Sequence, residues 1–193
     1  VPAAVVRKHH KWPSILATHH LGALVWSAGV PLQLVLPRDT PAQRARHRVV
    51  GRAVLAAAAL LSLGFSRILA KGLRASDDYE RVFPGTLGPT SARVYAFLDL
   101  RVVPALGLWF VLTAMAAARF AADGQTARHR RWAIRHVGSG LWVVVQRVFI
   151  FVAYGVHESG LHPFSGPHKL AAFYGSAGLG VVSCLGLAEV FAR

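Results

Sequence analysis

Residues 132–156, WAIRHVGSGLWVVVQRVFIFVAYGV, decide the fold class. This mostly apolar run exceeds the ~20 residues that an α-helix needs to cross the hydrocarbon core of a bilayer. Four runs of the same kind accompany it. They cover about 14–36, where Pro31 invites a kink, 49–70, 96–118, with Pro104 in its first half, and 170–192. The expectation is an all-α protein, an integral membrane bundle of about five transmembrane helices. Residues 1–193 are expected to form a single transmembrane helical domain, with no soluble domain of useful size between the spans.

Composition agrees. Of 193 residues, 54% are hydrophobic and only 16% are charged, against about 25% charged in soluble domains. The formal net charge is +14. Such an excess of base suggests nucleic acid or an anionic surface. The bases stand at the ends of apolar runs, and no nucleic-acid-binding signature is present, so nucleic acid is not expected as a partner. Cys184 is the single cysteine, which excludes an intramolecular disulfide and a cysteine metal cage. With no Asn, the chain has no N-glycosylation acceptor. Phosphate loops, zinc-protease helices, redox cysteine pairs and serine elbows are also missing, and no catalytic residue is expected. The chain begins at Val1 without a recognisable signal peptide, which fits a removed transit peptide or a start lying upstream.

Five crossings put the loops alternately on two faces. Arg38, Arg44, Arg46, Arg48 and Arg52 fall on the face opposite the N-terminus, with Arg119, Arg128, Arg130, Arg131, Arg135 and Arg193. The N-terminal face has Arg7, Lys8, Lys11, Lys71, Arg74, Arg81, Arg93 and Lys169, but also Asp77, Asp78, Glu80 and Glu158. Short basic loops favour the cytoplasmic, matrix or stromal side. The tetrapeptide Ala-Arg-His-Arg occurs there twice, at 45–48 and 127–130. Arg46, Arg48, Arg52, Arg128, Arg130 and Arg131 are the candidate binders of an anionic headgroup such as cardiolipin, or of a haem propionate. Small residues spaced by four, Ala58, Ser62 and Ser66 and again Ser176 and Gly180, suit close helix packing.

The fourth run carries the interior polar groups. His136, Ser139, Gln146, Arg147 and Tyr154 fall roughly on one stripe, expected to face the bundle interior. Arg147 lies ~24 Å into the span at 1.5 Å per residue. An intramembrane arginine needs a partner. Asp99 is the expected one, in a buried ion pair, and Glu158 is the second candidate. Bis-histidine haem b requires two imidazoles from facing helices. His47 with His129 or His136 offers this near the basic face, and His20 with His157 near the other. The competing reading makes these histidines interfacial hydrogen-bond donors. No metal site without haem is expected.

The segments His20-Leu21-Gly22-Ala23-Leu24-Val25-Trp26, Pro31-Leu32-Gln33, His47-Arg48-Val49-Val50-Gly51-Arg52 and His129-Arg130-Arg131-Trp132-Ala133-Ile134-Arg135 resemble a family of multispan membrane proteins, the domain of unknown function numbered 2306. The resemblance covers roughly residues 18–151. Ala133 departs from the family's Met, whereas Arg147 matches an arginine deep in the following span. It implies architecture and a recurrent His/Arg set, with no reaction attached. The layout is also similar to that of transmembrane haem b proteins.

The resulting expectation is a non-catalytic integral membrane subunit of a larger complex, respiratory in the favoured case. It would bind anionic lipid and other membrane subunits and carry no cofactor. The mitochondrial inner membrane is favoured, with another organellar or a bacterial membrane as the alternative. The competing function is a haem b electron carrier coupled to quinone.

Overall fold

The structure is a computed structural model that describes residues 11–73, 88–158 and 166–193. Five long helices appear among them: α1 (Pro13–Val35), α2 (Pro41–Ala70), α3 (Pro89–Ala122), α4 (Thr126–Glu158) and α5 (Gly166–Ala192). All five contain segments long and apolar enough to cross a membrane, so the chain is an all-α integral membrane protein. Exposed side chains fit that solvent. Leu24, Leu34, Leu108, Met115, Phe151, Leu179, Val182 and Phe191 all point outward, as lipid-facing residues do.

Several helices begin earlier than the apolar runs suggest. Helix α2 starts at Pro41, eight residues before the expected 49. Its start is set by a capping box. Thr40 Oγ1 accepts from the Gln43 backbone N–H at 3.2 Å, and Gln43 Oε1 accepts from the Thr40 N–H at 3.0 Å. Pro41 then occupies the first turn, where its missing N–H costs nothing. Helix α4 likewise starts at Thr126 rather than 132. Both Ala-Arg-His-Arg copies are therefore helical.

Two of the helices contain a π turn, Leu16–His20 in α1 and Leu98–Val102 in α3. The second precedes Pro104. A proline ring collides with the carbonyl four residues back, and a widened turn relieves that collision. Pro31 lies inside α1 without ending it.

The chain clusters into two compact units, Lys8–Gly72 and one built on Leu73–Arg193. The first is the α1/α2 hairpin. Trp26 and Val30 of α1 are buried, as are Val54, Ala57, Ala58 and Gly64 of α2. At Gly64 any Cβ would run into the His19 backbone, so only glycine permits this approach. Of the expected stripe, Ala58 is buried, while the Ser62 and Ser66 hydroxyls bond back to the carbonyls of Ala58 and Ser62.

In the second unit, α4 packs against both α3 and α5. A Cβ on Gly180 would stand 2.7 Å from the Trp142 carbonyl oxygen, and one on Gly138 2.8 Å from that of Cys184. The α4/α5 backbones nearly touch at these two levels. Cys184 is buried there with Ala188.

Candidate functional site

The first turns of α4 carry Arg128, Arg130 and Arg131 and no acid. That is electrostatically the wrong sign. A helix N-terminus has about half a positive charge, and each base placed there costs some tenths of a kcal/mol. An anion at this end relieves both the dipole and the arginines.

Two of these arginines line a groove. Arg130 and Arg131 join Arg193, just past α5, around an open groove of about 380 Å³. Its apolar lining is Ala127, Ile134, Phe191 and Ala192. Nearby acids are already engaged. Glu189 receives a bidentate pair from Arg135, at 2.7 and 2.8 Å, and Asp123 pairs with Arg119 at 2.8 Å. Arg128 donates to Gln125 Oε1 and stands 5.7 Å from the Phe120 ring. Among the described residues, no carboxylate pairs with Arg130 or Arg131, and both are exposed. The groove therefore sets three basic residues beside an apolar lining.

The candidates Arg46, Arg48 and Arg52 belong to the other unit, on the first turns of α2, and are exposed. This helix also starts without an acid. There the Gln33 amide donates to the His47 carbonyl at 2.7 Å, which ties α1 to α2 beside the tetrapeptide.

Two of the histidines act as inter-helix donors. His129 Nδ1–H donates to the Ala117 carbonyl at 2.9 Å, and His136 Nδ1–H to the Phe110 carbonyl at 3.2 Å. Both spacings are seven residues, in opposite chain directions, so the two bonds set the α3/α4 register. In the hairpin, His19 Nδ1 lies 3.4 Å from the Leu61 carbonyl. His20 is exposed and meets the edge of the His19 ring. The His157 side chain lies outside the described residues, as do Tyr154 and Glu158 at the side-chain level.

No protein-family model, curated protein or solved structure matches the chain.

Within the α3–α5 unit, His129 and His136 do not form a pair with each other. His129 and His136 are separated by two turns of one helix, roughly 10 Å at 1.5 Å per residue. Axial imidazoles stand on opposite sides of one iron, about 4 Å apart. Among the described residues, no group of three His, Cys, Asp or Glu side chains is placed to hold a metal ion. The pairs His47–His129, His47–His136 and His20–His157 each join residues of different units.

The interior stripe is buried as expected at His136, Ser139 and Gln146, which are 4%, 3% and 3% exposed. Sequence reasoning missed its partner, Thr113, which is fully buried. Thr113 Oγ1 lies 2.9 Å from the Trp109 carbonyl, 3.4 Å from His136 Nδ1 and 3.3 Å from Ser139 Oγ. Its threonine-to-carbonyl bond is the only signal, and such bonds are common in helices.

The expected Asp99–Arg147 ion pair is not formed. The α3/α4 register puts the two residues at about the same level, yet Asp99 sits in the π turn. An extra residue in that turn rotates what precedes it by roughly 100°, one residue of helical twist. Asp99 is buried in α3. The Arg147 guanidinium instead stands 6.0 Å from the Phe173 ring of α5.

Proposed function

We propose that this chain is a non-catalytic integral membrane subunit of a larger membrane complex, with a specific seat for anionic lipid. The observation that carries the reading is the groove lined by Arg130, Arg131 and Arg193 over Ile134 and Phe191. A diphosphate headgroup of the cardiolipin type would span several arginines at once, which favours a respiratory complex of the mitochondrial inner membrane as host. The small-residue helix contacts and the outward apolar faces suit a chain that packs among other membrane subunits.

Native mass spectrometry of the purified protein tests this. Cardiolipin adducts should survive at activation energies that strip phosphatidylcholine. The double variant Arg130→Gln/Arg131→Gln should lose them, since hydrogen bonds to charged groups contribute about 1.5–3 kcal/mol each. Equal retention of both lipids in both proteins would sink the proposal.

One observation keeps haem b electron transfer as a second reading. The His129 Nδ1–H bond to Ala117 leaves Nε2 as the lone-pair nitrogen, the arrangement of a metal-ligating histidine. A reduced-minus-oxidised absorption spectrum without b-type bands would remove it.

A further inference from the structure

Arg147 supports an inference separate from the groove. It sits on α4 nine residues before Val156, the end of the apolar run, roughly 14 Å inside at 1.5 Å per residue. Side chains on a helix lean toward its N-terminus. For Arg147 that direction is inward, away from the nearer membrane face. Among the described residues no carboxylate pairs with it, and its guanidinium meets the Phe173 ring. The neighbouring polar groups are committed elsewhere. Gln146 Nε2 and Ser176 Oγ both donate to the Phe173 carbonyl, at 3.2 and 2.9 Å. On the other side of Arg147 the helix surface is open: Val144, Val148 and Phe151 are 41%, 58% and 64% exposed. Arg147, itself half-buried, thus lies between the α4/α5 interface and this exposed face of α4.

A cation at that depth demands an anion. The occupant must arrive sideways through hydrocarbon, present its charge at one end, and carry little polar bulk below the interface. A phospholipid drags its glycerol and headgroup with its phosphate. A long-chain fatty acid does not, and it can cross hydrocarbon in its neutral form before ionising beside the guanidinium. We propose that Arg147 holds the carboxylate of a long-chain fatty acid, with the acyl chain lying along Val144, Val148 and Phe151.

The test uses the full chain in detergent micelles, with oleate as probe and oleyl alcohol as its uncharged match. Oleate should raise the thermal unfolding midpoint of the wild-type protein and form an adduct in native mass spectrometry, and oleyl alcohol should do neither. Arg147→Gln should weaken oleate binding about tenfold to a hundredfold, the range for a lost charge-assisted contact. Arg147→Lys should recover part of it, and Arg130→Gln/Arg131→Gln should bind oleate as the wild type does. That last variant separates this site from the groove, so either proposal can fail alone. Equal stabilisation by oleate and oleyl alcohol in the wild-type protein would overturn the inference, and that arm needs no variant to fold. So would undiminished oleate binding by Arg147→Gln. A loss of stability shared by Arg147→Gln and Asp99→Asn, with no oleate effect, would identify a purely structural charge and also overturn it.

Discussion

At the residue scale, Thr113 shows how a polar group inside a membrane bundle can be worth keeping. Its hydroxyl is fully buried and within 3.4 Å of two main-chain carbonyls, His136 Nδ1 and Ser139 Oγ. Valine has nearly the same shape but leaves His136 and Ser139 facing a methyl group. Thr113→Val should cost on the order of 1 kcal/mol, the usual net worth of such a bond. Denaturation in detergent, followed by circular dichroism, would read it. The residue was hidden in the sequence because it sits in an apolar run, and its partners come from a helix 23 and 26 positions away. Arg130 and Arg131 were legible for the opposite reason: clustered bases at a span's mouth mark themselves. The groove floor was not, because Phe191 comes to line the same groove as Ile134 only through the α4/α5 register. Asp99 and Arg147 were matched by membrane face and by the scarcity of acids near a span, and the π turn at Leu98–Val102 has no hydropathy signature.

At the scale of elements, two glycines of α5 predict opposite outcomes. A Cβ at Gly180 would meet the Trp142 carbonyl, a backbone atom that cannot swing away. Gly180→Val should push α5 off α4 and cost about 2 kcal/mol or more, as overpacking does. Gly175 has open space around its notional Cβ. Gly175→Ala should be neutral or stabilising by up to about 1 kcal/mol, through helix propensity alone. Comparing the two melting points in detergent checks both signs. Helix existence was legible here and helix ends were not. Hydropathy registers what lipid surrounds, whereas a helix starts where its first amides find acceptors. For α2 that acceptor was readable, since Thr40-Pro41-Ala42-Gln43 spells a capping box outside the apolar run.

At the scale of the whole molecule, the hairpin and the three-helix unit each close their own core. They use the same devices: backbone approach at glycine, and histidine Nδ1 directed to a neighbouring helix's carbonyl. The exposed leucines, valines and phenylalanines are then a surface suited to lipid.

The arginines at the head of α4 have a kinetic consequence. A helix that begins with three bases and no acid holds its first turn least well when nothing negative sits beside it. The amides of residues 127–130 should therefore exchange with deuterium quickly in neutral micelles. They should slow when anionic lipid is added, while amides near Trp142 keep their rate. Under the proposed function, that end of the helix would report which lipid is present, readable without labelling the lipid at all.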